Sequence, residues 1–196
     1  MLAAFPARAA LDTPNPLGEL VLGDADAPVT IVEYSSLTCP HCAAFHLDIL
    51  PELKRKYIDT GLVKMHFRPF PLDAYAMSAA MLVHCVAEPR RVAFLDILFH
   101  RQSVWAFSER PVDALQDIAQ QAGLSKSDVR TCLEDRRILE AIRDMQATAH
   151  ETLGVRSTPT FFINGEKLES NQPLTRFDSM ILPHLSPEAR AEVERR

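Results

Sequence analysis

Val29-Thr30-Ile31-Val32-Glu33-Tyr34, then Ser35-Ser36-Leu37-Thr38, then Cys39-Pro40-His41-Cys42 is the stretch on which the reading of this chain turns. The first six residues are β-branched or apolar apart from Glu33 and read as a buried strand. A four-residue loop follows. A helix then starts near Cys39, because Pro40 suits a first turn, where its missing amide hydrogen would be unpaired anyway. The unpaired N–H groups and partial positive charge of a helix N-terminus favour a thiolate, so Cys39 is expected to be acidic. Cys42, one turn later, lies close enough to close a disulfide with Cys39 and is expected to be the more buried. His41, between them, can donate a hydrogen bond toward the Cys39 sulfur and adds positive charge when protonated.

Working outward, Ala43, Phe45, Leu47, Ile49 and Leu50 continue the helix, Pro51 kinks it, and it ends before Gly61. Leu62 to Arg68 alternates and reads as the next strand. Residues 73–153 are helical, with helices from Asp73 to Val86, from Pro89 to Ser103 and from Pro111 to Gly123. Ser125-Lys126-Ser127-Asp128 resembles a capping box, and the last helix of this stretch stops at Gly154. Thr160-Phe161-Phe162-Ile163 is a strand, Asn164-Gly165 a hairpin turn, and Glu166 to Leu168 the return strand. Leu174 to Leu185 forms a final helix. The Pro- and Gly-rich residues 11–28 read as an extended lead-in. Trp105 and Phe107 are expected in the core, and the charged residues near 134–144 on a solvated helix face. The order is βαβ, a block of helices, then ββα. The crossover helix makes the first two strands parallel, and the Asn-Gly turn makes the last two antiparallel.

Composition bounds the function. The chain has 196 residues, 47% apolar and 24% charged, enough for a packed core without disulfide staples. The net charge of −5 and the lack of a basic stripe argue against nucleic acid. No apolar run is long enough to span a bilayer. Met1 to Ala10 looks like the tail of a secretory signal peptide, with Ala7-Arg8-Ala9 as a small-x-small cleavage site. The alternative is a flexible Ala-rich terminus. Export would place the chain where disulfides persist.

Two features outside the Cys-x-x-Cys segment bear on its chemistry. Glu33 is a lone acid in an apolar strand. It is either a buried carboxyl able to carry a proton to or from Cys42, or a strand-end residue facing water. Thr158-Pro159 directly precedes the Thr160–Ile163 strand. A proline there is compatible with a cis bond, although a trans turn is the default from these residues alone. His46 invites a metal-ligand reading together with Cys39, His41 and Cys42, but a solvated or capped histidine is the plainer one.

With those residues in place, the chain resembles the DsbA family of bacterial thioredoxin-fold oxidoreductases, and more narrowly the alphaproteobacterial DsbA-like and BdbD-like group. The resemblance runs from about Gly23 to Leu185. It rests on Gly23-Asp24-Ala25-Asp26-Ala27-Pro28, on Cys39-Pro40-His41-Cys42 followed by Phe45-His46, and on Thr158-Pro159-Thr160. It implies an α/β chain: a thioredoxin fold over residues 23–72 and 154–196, an inserted all-helical domain over 73–153, and residues 1–22 as signal remnant and lead-in. It implies that Cys39 is the exposed, attacked cysteine and Cys42 its buried partner, and that Glu33 is the family's buried acid. Thr158-Pro159 becomes a cis-proline loop that, with Pro40, receives an extended substrate by strand addition. Some alphaproteobacterial relatives carry a second, non-catalytic disulfide in the helical region, which implies a Cys85–Cys132 bond. Two buried free thiols are the alternative. The best-known enterobacterial members have Val before the cis-proline, and Thr158 departs from them.

The function implied is oxidation of dithiols in exported, periplasmic proteins. No cofactor or resident metal is called for, and a DsbB-type membrane quinone reductase would reoxidise a monomeric enzyme. The competing readings are a disulfide isomerase or reductase of the same fold, and a non-enzymatic Cys/His metal carrier. Among DsbA-type oxidants a thiol pKa near ~3.5 against about 8.5 for a free thiol is what makes the disulfide oxidising.

Overall fold

Strand β2 (Val29–Ser35) is buried at every position but Thr30, as a strand covered on both faces must be. In the computed structural model, which describes residues 9–195, it is the centre of a five-stranded mixed sheet ordered β1-β3-β2-β4-β5. β3 (Val63–Pro69) runs parallel to it, with Val29 opposite Val63 and Glu33 opposite Phe67. β4 (Thr160–Ile163) runs antiparallel on the other side, with Glu33 opposite Phe161. β5 (Glu166–Glu169) returns through Asn164 and Gly165, whose φ angles of 46° and 93° are those a tight two-residue hairpin requires. β1 (Val21–Leu22) pairs antiparallel with β3 at the edge. The lead-in therefore contains a strand, just outside the boundary expected at residue 23. The expected signal remnant lies almost wholly in residues 1–8, outside the described residues.

Helix α1 covers residues 40–58 as one run that continues through Pro51. Around that proline the chain widens into two π-helical turns, Phe45–Ile49 and Lys54–Ile58. Leu50 N–H reaches back five residues to the Phe45 carbonyl, and Asp59 N–H to Lys54. A proline lacks the N–H that a regular turn would use, and the π turns redistribute the bonds around it.

Between β3 and β4 lie α2 (Ala74–Cys85), α3 (Arg91–His100), α4 (Gln102–Trp105), α5 (Pro111–Gln121), α6 (Lys126–Glu134) and α7 (Arg136–Glu151). Asp73 caps α2, and Ser125 and Asp128 form the reciprocal capping box of α6. The helix expected from Pro89 to Ser103 is broken at Arg101 into α3 and α4. Cys85, the last residue of α2, is disulfide-bonded to Cys132 on α6. After β5, α8 (Leu174–Ile181) is followed by α9 (Pro187–Glu194), which carries the chain past the end expected at Leu185.

The main core is continuous from one sheet face (Ile31, Met65, Phe161) through α1 (Phe45, Leu53, Tyr57) to Leu82, Phe99 and Trp105. A smaller cluster around Val32, Tyr34, Phe162 and Leu153 covers the other face. Phe107 corrects an expectation: it is 62% exposed, because it falls beyond α4 in the turn leading to Pro111, and no helical face carries it inward. Among the described residues no helix is long and apolar enough to cross a membrane. The parallel β2–α1–β3 unit joined to the antiparallel β4–β5 hairpin is the thioredoxin arrangement, with α2–α7 inserted between β3 and β4.

Candidate active site

Cys39 is the N-cap of α1, with extended backbone (φ −80°, ψ 119°), so the chain leaves β2 and enters the helix at this residue. Its carbonyl accepts from Cys42 and Ala43 N–H, both at 3.1 Å. The loop before it is held from three sides. Phe70 N–H bonds Ser35 O, the Thr38 hydroxyl bonds Asp73, and Gln102 donates through Nε2 to the carbonyls of Leu37 (2.9 Å) and Cys39 (3.0 Å). Gln102 is buried, so the start of α4 fastens the helical segment directly to the loop.

Facing Cys39 is the loop before β4, where the Thr158–Pro159 peptide is cis. The Cys39 thiol donates to the Thr158 carbonyl at 3.4 Å. Cys39 and Cys42 are both unbonded thiols. Cys39 keeps 7% of its surface and Cys42 none. Cys39 is thus the accessible member of the pair only in rank; the description "exposed" fits Pro40 and His41 instead.

The two thiols have opposite electrostatics. Donation from the Cys42 thiol, above all, brings Cys39 down to about 5; burial opposes this, and Thr158 with the backbone N–H groups of Cys42 and His41 adds to the lowering. Burial pushes the Cys42 thiol far up, aided by its hydrogen bond to Cys39 and the charge of Glu33. The Thr158 hydroxyl is buried without a partner, beside the sulfur that would carry the charge.

Glu33 is fully buried, which removes the alternative of a strand end facing water. Its Oε2 pairs with Nε2 of His46 at 3.1 Å. His46 is 1% exposed and stacks on Phe99 with ring centroids 3.9 Å apart. The plainer reading of His46 as solvated or capped is therefore corrected: one helical turn beyond Cys42, its side chain is buried and meets the acid on β2. Among the described residues no group of three or more His, Cys, Asp or Glu side chains is placed to hold a metal ion.

Sequence reasoning placed Cys39, Cys42, Glu33, Thr158 and Pro159, and these lie together. It missed the Glu33–His46 pair and Gln102. The signal for the first was a histidine one turn after Cys42, alone among apolar neighbours. Gln102 gave no usable signal, since its partners are carbonyls 63 and 65 residues away.

Residues 16–182 match the protein-family model described as Thioredoxin. The crystal structure of alpha-DsbA1 from Wolbachia pipientis has a TM-score of 0.82 to this chain at 32% identity, covering 95% of this chain and 99% of that one. BdbD from Bacillus subtilis, in its oxidised form, has a TM-score of 0.77 at 23% identity over 87% of this chain and 95% of its own, a likeness of fold. The "Putative protein-disulfide oxidoreductase" of Rickettsia typhi is 36% identical over 156 residues, 78% of this chain and 57% of that protein. The chain spans little more than half the length of the Rickettsia proteins it matches.

Proposed function

Because this chain belongs to the DsbA family of thioredoxin-fold proteins, we propose that it is a thiol–disulfide oxidoreductase that forms disulfides in exported proteins through Cys39 and Cys42. The observation that carries the reading is the split between the two thiols. Cys39 is lowered to about 5, while burial holds Cys42 as a thiol. A stabilised Cys39 thiolate favours the reduced enzyme, and an enzyme that favours its own reduction oxidises others.

In the forward direction a substrate thiolate attacks Cys39 Sγ of the Cys39–Cys42 disulfide. The new bond joins substrate and Cys39, the old bond breaks, and Cys42 leaves with its electron pair and takes a proton, with Glu33 as the donor. A second substrate thiolate then attacks its own sulfur in the mixed disulfide. The substrate is oxidised by two electrons and Cys39 leaves as the thiolate. His41, exposed between the cysteines, and Pro40 border the attacked sulfur, and the Thr158-Pro159 loop would receive the substrate backbone as an added strand. Reoxidation by a DsbB-type quinone-linked membrane protein, a periplasmic location and a monomeric state complete the reading. So does a division into a thioredoxin-like unit, residues 23–72 and 154–196, and a helical insert, 73–153.

Replacing Cys39 by Ala is expected to abolish oxidation of a reduced dithiol peptide, and retained activity would remove the proposal. Thr158, standing where the best-known enterobacterial members have Val, leaves room for a second reading, an isomerase of the same fold. The reduction potential separates the two: a value near the thioredoxin potential of about −270 mV argues against an oxidase, and one near that of DsbA, about −120 mV, supports it.

A further inference from the structure

Behind the cysteine pair, between α1 and α3, lies a cavity of about 480 Å³. Leu22, Leu50, Phe67 and Leu95 make its apolar wall, and the partly exposed Lys54, Asp96 and His100 mark its opening. Neither cysteine lines it, nor does Thr158 or Pro159. His46 does, and of the lining residues it alone hydrogen-bonds Glu33. The far atoms of this pair, Nδ1 of His46 and Oε1 of Glu33, are both buried without a protein partner. An unpaired polar atom in the interior is costly, and here one sits at each end of a single hydrogen-bonded pair. A structural pair has no use for two free ends, whereas a relay takes a proton at one and gives it at the other.

We propose that His46 is a positioning and proton-relay residue that carries protons between this rear cavity and Glu33, which exchanges them with Cys42. The idea rests on the thiol–disulfide reading above. When the Cys39–Cys42 bond breaks, the Cys42 thiolate takes the proton of the Glu33 carboxyl, leaving a carboxylate. His46 gives its Nε2 proton to Oε2 of Glu33 while Nδ1 takes one from water in the cavity. One proton has moved from solvent to Cys42, no electrons have moved along this path, and reoxidation returns the proton by the same route. With substrate lying over Cys39 and the Thr158-Pro159 loop, a rear path is the one that stays open. The titratable and charged groups around the pair are Cys39 and Cys42 on the first turn of α1, Lys54 further along it, and Asp96 and His100 on α3. The cross-strand neighbours of Glu33 in register, Phe67 and Phe161, are uncharged.

The test follows reduction of the Cys39–Cys42 disulfide of the full chain by a reduced dithiol peptide, in stopped flow, across the acid to mildly alkaline range. His46→Ala is expected to slow the reaction about tenfold or more, as loss of a proton-transfer group does, with a changed pH profile. Added imidazole is expected to restore the rate, to lose that effect when Glu33→Gln is combined with His46→Ala, and to leave the Cys39 thiolate titration in place. Ala93→Phe at an exposed lining position keeps His46 and is expected to slow the same step by narrowing the cavity. It also decides the matter if His46→Ala does not fold. Wild-type rate and profile in His46→Ala, or slowing that imidazole does not relieve, would overturn the relay, as would an unaffected Ala93→Phe if His46→Ala does not fold. A wild-type chain that fails to oxidise the peptide sinks the thiol–disulfide reading and this proposal together; a working wild type with indifferent variants sinks the relay alone.

Discussion

Cys39 and Cys42 share one helical turn, yet their environments drive their acidities apart. Cys39 meets donors: the Cys42 thiol and the N–H groups that a helix start leaves free. Cys42 meets the interior. A thiolate-absorbance titration of the reduced protein is therefore expected to show one step near pH 5, with no second step in the ordinary thiol range of about 8.5. The sign for stability follows. The folded-state value of Cys39 is depressed, so its contribution to the reduced form is complete above the ordinary thiol range and is lost as pH falls through about 5. Thr158→Val, which removes the nearby hydroxyl, should move the absorbance step upward; an unmoved step would deny Thr158 its part. The cysteines were legible because their chemistry depends on a spacing within one helical turn. Their relation to His46 was not, since it depends on which way a helix side chain faces a strand residue 13 positions earlier.

At the scale of elements, what holds the site in place is the junction of α4 with the loop after β2. One buried amide, Gln102, serves two main-chain carbonyls beside the reactive sulfur: that of Leu37, and that of Cys39, which also accepts from Cys42 and Ala43 N–H. Gln102→Leu keeps the volume but strands the Leu37 carbonyl and leaves that of Cys39 to its helix donors. It is expected to cost about 1–3 kcal/mol, read as a lower urea midpoint, and to slow peptide oxidation by loosening the loop. An unchanged midpoint would place the support of the loop elsewhere, with Asp73 and Thr38. The strands and their directions were readable from β-branched runs, the crossover helix and the Asn-Gly turn. β1 was not, because two residues carry no period, and its pairing depends on β3 being there to receive it. The π turns of α1 were equally hidden: proline announces a lost bond but not how the helix redistributes the remaining ones.

For the molecule as a whole, two features tie stability to solution conditions. The first is the Cys85–Cys132 bond, which closes 47 residues of the helical segment. Its pairing came from family likeness, with two buried free thiols as the alternative. Alkylation and intact-mass measurement after selective reduction of Cys39–Cys42 should find one disulfide remaining. Replacing both Cys85 and Cys132 by Ala is expected to cost up to about 4 kcal/mol on loop-entropy grounds. The second is His84, in the core-facing part of α2, with Nδ1 buried and unpaired. Burial, with the Arg91 charge nearby, lowers it to about 4. A histidine that is harder to protonate folded than unfolded supports the fold fully above its ordinary value of about 6.5. That support drains away as pH falls from there through about 4, where the folded protein must accept a buried charge. His84→Leu should therefore flatten the acid limb of a stability–pH curve over that window while changing little near neutrality. A variant curve parallel to the wild type through the window would assign the acid limb to other groups, such as Glu19, whose carboxyl is held low between His66 and Arg68 although burial opposes it.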